Sequence, residues 1–175
     1  GLLVKGGRSL EALDKVDVLL LDKTGTLTLG QPRITEICPL GISEETLLRL
    51  AASAERYSEH PLADAVRRVA FERHIGLVDA TDFRAYAGLG VEATVDGKVV
   101  RVGKGWSAGL PDMLAERAAA LEERGFSLLA VHIDGAPAGL LAAEDVLRQE
   151  VPEAIRRLRD LGVREIELLT GDNAG

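Results

Sequence analysis

The sequence predicts an α/β domain interrupted by a second, α+β unit built on an antiparallel sheet. Three observations carry that reading. The first is an unbroken apolar run, VDVLLL (16–21), that ends on Asp22; the second is a helix followed by EIELLT (165–170) near the far end of the chain. Apolar strands that lack polar alternation suit parallel sheets covered on both faces, so these two read as parallel neighbours in one domain. The third is the change of pattern between them, where Asp-Gly dipeptides join strand pairs as hairpins.

In chain order, VDVLLL is expected to be fully buried, and PRITEI (32–37) is a second strand of weaker pattern. From Ser43 the apolar period lengthens to that of a helix. Leu47, Leu50, Ala51 and Ala54 form one stripe, Ser43 suits the N-cap, and Glu44 and Glu45 suit the positive end of the dipole. Pro61 suits a first helical position and opens a second helix that runs to about His74. FRAYAGLGVEATV (83–95) and KVVRVGK (98–104) are expected as two strands joined at Asp96-Gly97. A helix from about Asp112 to Arg124 ends at Gly125, and FSLLAVHI (126–133) pairs with PAGLLAA (137–143) around Asp134-Gly135. The last helix places Val151, Ile155, Leu158 and Leu161 on one face, stops at Gly162 and leads to EIELLT. The expected division is 1–31, 32–136 and 137–175, the middle segment being inserted into a domain formed by the outer two.

A chain of 175 residues, 46% hydrophobic and 28% charged, has the composition of a globular protein and can bury one core or two small ones. Its 21 basic against 28 acidic side chains give a net charge of −7, which argues against nucleic acid as the main partner. Cys38 is the lone cysteine, with no Cys/His cluster around it, so a reducing compartment is the natural setting. The apolar runs fall far below the roughly 18 residues needed to span a bilayer, and the chain is expected to be soluble.

Chemistry concentrates at strand ends. In open α/β sheets ligands bind beyond the carboxyl ends of strands, so Asp22 after VLLL and Thr170 and Asp172 after IELL converge if the two strands are neighbours. An isolated Asp in such a place usually caps a strand, but DKTGTLT (22–28) is too long and particular a string for that. Asp22 is a carboxylate nucleophile candidate, of the kind that forms aspartyl-phosphates. Lys23 and the N–H groups of the following turn are placed to hold phosphoryl oxygens. Gly88-Leu89-Gly90 lies in a strand region rather than opening a helix, so it is not a dinucleotide fingerprint, and Gly103-Lys104-Gly105 lacks the Ser or Thr of a P-loop. His74, near a helix end, and His132, within a strand, read as structural. ERAAALEER (116–124) reads as a solvated helix surface.

Together these segments resemble the heavy-metal-transporting (CPx-type) P-type ATPases. DKTGTLT matches the phosphorylation signature of that family and Thr170-Gly171-Asp172-Asn173 its TGDN segment. His60-Pro61 in SEHP looks like the HP motif of the heavy-metal branch, with Glu55 five residues earlier; Gly88-Leu89-Gly90-Val91 and Val102-Gly103 match its glycine elements, and Asp145 and Arg148 in EDVLR its DxxR-type element. The resemblance implies an incomplete haloacid dehalogenase-like (Rossmann-like) phosphorylation domain interrupted by an α+β nucleotide-binding domain with an antiparallel sheet flanked by helices.

It also implies roles. Asp22 would attack the γ-phosphate of ATP and become the aspartyl-phosphate, and its carboxylate with the Thr24 carbonyl would ligate Mg²⁺. Thr24 stands where related soluble phosphatases have an acid/base Asp; a threonine does not transfer that proton, so the phosphoenzyme would persist. Lys23, Thr26 and Thr170 would support the phosphoryl group, and Asp172 would lie near the metal. Glu55 would accept from the adenine amino group, His60 would contact the ring, and Gly88, Gly90 and Gly103 would let backbone approach the ligand.

Cys38-Pro39 falls in a polar connection and is not the metal-binding Cys-Pro of a membrane helix. The resemblance calls for a lysine and a GDGxND-type segment after Asn173, and for actuator and membrane domains that would be its partners in the pump. None of these is in the 175 residues. The expectation is a piece of the cytoplasmic face of a membrane pump that binds ATP with little or no turnover. Two alternatives stand beside it: a soluble haloacid dehalogenase-like phosphatase, against which the missing D-x-D pattern argues, and a non-catalytic nucleotide-binding module. Val4-Lys5-Gly6-Gly7 leans faintly towards zinc, cadmium or cobalt as cargo rather than copper.

Overall fold

The computed structural model describes residues 15–169, together with residues 6, 7 and 11. The chain divides into two compact units, one drawn from its two ends, up to Gly30 and from Val146, and the other comprising Gln31–Asp145. The inserted unit therefore continues beyond Ala136, because the strand that begins there remains hydrogen-bonded into its sheet.

In the first unit, strand β1 (Val18–Asp22) pairs in parallel with a strand from the other end, Glu165–Leu169, so that Asp22 stands opposite Leu169. The expected parallel pairing of the two ends is met. The expected full burial is not: Val18 is 49% and Leu20 52% exposed. This sheet has two strands, so the described elements leave part of β1 uncovered.

The second unit is built on a six-stranded sheet. Its strands are β2 (Thr28–Pro39), β3 (Ala80–Tyr86), β4 (Gly90–Val95), β5 (Lys98–Gly103), β6 (Ser127–Ile133) and β7 (Ala136–Leu147), in the spatial order β2-β7-β6-β5-β4-β3. From β3 through β7 every neighbouring pair is antiparallel. FRAYAGLGVEATV is not one strand but a hairpin. Leu89 N–H closes a turn on the Tyr86 carbonyl at 3.0 Å, and Gly88 takes a φ of +74°, a left-handed conformation that ends β3 before β4 begins. The two Asp-Gly turns form as expected: Val95 faces Lys98 and Ile133 faces Ala136, with positive φ at both residues of each turn.

Helix α1 (Glu44–Ala54) starts as its sequence dictates, with Thr46 N–H donating to Ser43 Oγ at 3.1 Å. Helix α2 (Pro61–Glu72) has Pro61 in its first turn. Leu47, Leu48, Leu50, Ala51, Leu62 and Val66 of these helices share one core with Val91, Ala93, Val100, Val102, Leu129 and Val131 of the sheet. Helix α3 (Asp112–Glu123) covers the other face, where Leu114, Ala118 and Leu121 meet Leu128, Ala130, Leu140 and Ala142. Strand β6 is thus apolar on both sides, which explains its unalternating sequence. Each buried Leu or Val contributes about 1.5–3 kcal/mol relative to exposure. Helix α4 (Val151–Asp160) precedes the last strand, β8 (Glu165–Leu169), in the first unit. Among the described residues no helix is long and apolar enough to cross a membrane.

Candidate functional site

A cavity of about 370 Å³ opens within the second unit, a size that suits a small-molecule ligand. Its lining includes Glu55, His60, Gly88, Gly90 and Gly103, five residues drawn from four separated sequence motifs, together with Ser58, Tyr86, Leu89 and Lys104.

Glu55 caps the C-terminus of α1, and packing of that helix draws it inward until only 4% of its surface is exposed. Its Oε2 has no hydrogen-bond partner. Burial raises its pKa from 4.5 to about 7, against smaller opposing effects from a hydrogen bond with Ser58 and the charge of Arg67. An orphaned carboxylate oxygen lining a cavity is an acceptor in need of a donor.

His60 is the N-cap of α2 and its Nδ1 accepts from Leu62 N–H at 3.1 Å. That bond fixes the tautomer: the neutral ring carries its proton on Nε2, which remains a donor. The residue is exposed, so the ring is held at its inner nitrogen by the helix end.

The glycines divide into two kinds. Gly88 serves the β3–β4 turn through its positive φ. Gly90 and Gly103 face one another across β4 and β5: a Cβ on Gly90 would stand 2.1 Å from the Val102 carbonyl oxygen, and one on Gly103 would stand 2.1 Å from that of Leu89. Close approach of two backbones accounts for both, and it brings both strands to the cavity wall. Gly105 N–H donates to the Leu89 carbonyl at 2.9 Å and pins the same loop.

At the other candidate site, in the first unit, Asp22 ends β1 with an exposed carboxylate. A π-helical turn, Lys23–Leu27, follows it. Gly25 N–H donates to Thr28 Oγ1 at 3.0 Å. Arg148 grips the turn from the returning chain: Nε donates to the Thr26 carbonyl at 3.1 Å, Nη2 to that of Gly25 at 3.2 Å, and its backbone N–H to that of Leu27 at 2.9 Å. Thr170 and Asp172 lie outside the described residues. A hard divalent cation takes oxygen ligands, which the Asp22 carboxylate fits; the Gly25, Thr26 and Leu27 carbonyls are already engaged by Arg148. Among the described residues no three His, Cys, Asp or Glu side chains cluster as a ready metal site.

Comparison with known proteins places this architecture. The haloacid dehalogenase-like hydrolase family matches residues 16–175, nearly the whole chain. The chain belongs to the haloacid dehalogenase-like hydrolases. Within that family it is similar to a "Copper-transporting P-type ATPase" of Rhizobium leguminosarum bv. viciae, 43% identical over 180 residues that cover 99% of this chain and 21% of that protein. Among solved structures, a zinc-transporting PIB-type ATPase in the E2.Pi state matches with a TM-score of 0.79 and 40% identity, covering 98% of this chain and 28% of that one. The catalytic domain of a CPx-ATPase, solved in a study of nucleotide binding, matches with a TM-score of 0.74 and 27% identity over 98% of this chain and 59% of that one. The chain spans about a fifth of the length of the curated relatives it matches. The resemblance to heavy-metal P-type ATPases and the α/β fold class are borne out.

In this haloacid dehalogenase-like chain, two cavity neighbours escaped the motif reading. Arg67 donates to the backbone carbonyls of Glu55 and Ser58, the latter at 2.9 Å, and to the Asp64 carboxylate. Its spacing from Asp64 shows only a surface i,i+3 pair; the carbonyl contacts exist because the chain doubles back between α1 and α2. Lys104 lines the cavity with an exposed side chain; the sequence presents it only within Gly103-Lys104-Gly105, rejected as a P-loop, and as a departure from the family pattern, with no place at the site.

Proposed function

We propose that this chain is the ATP-handling segment of a heavy-metal cation-translocating P-type ATPase. The cavity of the second unit takes the adenosine of ATP, and Asp22 accepts the γ-phosphoryl group. One observation carries the nucleotide half: Glu55, His60, Gly88, Gly90 and Gly103, separate in sequence, line one cavity, and the buried Glu55 Oε2 there lacks a donor. An adenine amino group supplies that donor, and the His60 Nε2–H lies on the residue that opens the next helix.

For the phosphoryl half, a carboxylate oxygen of Asp22 forms a bond to the γ-phosphorus as the bond to the β,γ-bridging oxygen breaks, and ADP leaves with that electron pair. No proton moves in this step, so a threonine at position 24 suffices where a hydrolase acting on its own intermediate needs an acid/base. Mg²⁺, when bound, neutralises charge on the transferring phosphoryl oxygens. Arg148 holds the turn after Asp22 by its carbonyls, Thr26 contributes a hydroxyl to that turn, and Lys23, Thr24, Thr170 and Asp172 complete the proposed set. The other pump domains are the proposed partners, and a heavy-metal cation is the cargo.

Calorimetric titration of ATP and of AMP tests the nucleotide half. Saturable binding of both, weakened about tenfold in His60→Ala, is expected for loss of one hydrogen-bond donor, worth about 1.4 kcal/mol. Equal affinity in that variant contradicts the assignment.

A further inference from the structure

Arg67 stands apart from the proposed chemistry: it lines no wall itself, yet its side chain reaches from α2 back to the turn that carries the proposed base-recognition groups. The turn leaves α1 at Glu55, passes Ser58 and re-enters α2 behind His60. Arg67, one and a half turns into α2, reaches back with Nη1 to the carbonyls of Glu55 and Ser58 and with Nη2 to Asp64. Its side chain is 23% exposed, so these bonds are partly shielded from water. A planar guanidinium satisfies several acceptors in one fixed geometry, which an ammonium does not.

We infer that Arg67 is a positioning residue for nucleotide recognition: by clamping the Glu55–Ser58 turn to the His60 helix it fixes the spacing of the two groups that address the base, and its charge faces the Glu55 carboxyl. The inference rests on the proposed assignment of the cavity to a nucleotide. The guanidinium bonds to the backbone of Glu55 rather than to its carboxylate, so Oε2 is left available for a ligand while the cation still favours the ionised form. The other polar groups that line the cavity with Glu55 are Ser58, His60 of α2, Tyr86 at the end of β3 and Lys104 after β5. The effect of burial on the Glu55 carboxyl is opposed first by its hydrogen bond with Ser58 and then by the Arg67 charge.

The consequence is a separable pair of effects. Removing the clamp loosens the turn, and binding must then re-order it. Removing the charge moves the Glu55 titration upward, and with it the pH at which an adenine amino group finds an ionised acceptor.

Titration of ATP into the purified chain from pH 5.5 to 8.5, for wild type, Arg67→Lys and Arg67→Met, tests this, with a ¹³C titration of the Glu55 carboxyl in the ligand-free protein. Arg67→Lys is expected to weaken binding about tenfold with the midpoint unchanged; Arg67→Met is expected to weaken it at least as much and to move the midpoint to higher pH. A thermal melt confirms that each variant is folded, and if Arg67→Met is not, the lysine variant decides alone. Wild-type affinity and midpoint in the folded variants would overturn the clamp. Absence of ATP binding by the wild type, or wild-type affinity in Glu55→Gln, would instead overturn the cavity assignment on which it rests.

Discussion

The two candidate sites of this molecule are built in opposite ways. The cavity of residues 31–145 is walled by a six-stranded sheet and by turns whose backbone geometry is locked: Gly90 against Gly103, Gly105 on Leu89, His60 on the first turn of α2. Asp22, by contrast, sits at the open end of a two-stranded sheet with its carboxylate in solvent, and its turn is held by one arginine from the other end of the chain. A recognition site gains from walls that are formed before the ligand arrives, because ordering is then complete before binding. A nucleophile that transfers a group between partners must stay accessible, and its surroundings come from segments distant in sequence.

Glycine substitutions break this contrast most forcefully. Gly90→Ala and Gly103→Ala force a methyl into a backbone atom 2.1 Å away, so each is expected to lose about 3 kcal/mol or more of stability together with nucleotide binding. Gly25→Ala meets open space and suffers only from its φ of +77°, with an expected loss of about 1 kcal/mol and no change in ATP affinity. Chemical denaturation of the three variants measures the difference.

Glu55 gives the next largest effect. Its folded pKa of about 7 lies above its ordinary 4.5, so between these values the folded state binds more protons than the unfolded one. Stability therefore falls as pH rises through that window and levels off above it. Glu55→Gln removes this slope, which denaturation midpoints at pH 5 and pH 8 will reveal. Nucleotide affinity is expected to run the other way, rising as pH passes 7 where the proposed acceptor is ionised, and to be flat in Glu55→Gln. At the Asp22 end the smallest change is expected. Arg148→Met removes exposed side-chain bonds and shifts stability by less than about 1 kcal/mol, while proteolysis at the Lys23–Leu27 turn quickens.

Much of this was legible in the sequence where local chemistry decides. Ser43 and Pro61 marked helix starts because caps and first-turn prolines act within four residues, and both Asp-Gly turns formed because their left-handed backbone is local. The motif residues of the cavity were legible one by one. That they gather around one ligand came only as an implication of the family resemblance, since no local pattern shows that β3, β4 and β5 are neighbours. Reading 83–95 as one strand failed for a related reason: alternation continues on either side of Gly88, and only its φ reveals the reversal. VDVLLL was expected to be covered on both faces because its composition is that of a central strand, yet the described neighbours supply only β8. Arg67 was invisible because its partners are carbonyls, which carry no sequence signal.

The central claim is that base recognition resides in the inserted unit and is independent of the nucleophile. ATP titration into three chains, wild type, Asp22→Asn and Glu55→Gln, at pH 8 tests it most directly. Equal affinity in wild type and Asp22→Asn, with a loss of tenfold or more in Glu55→Gln, is the predicted result. Undiminished binding in Glu55→Gln, or binding abolished by Asp22→Asn, would contradict it.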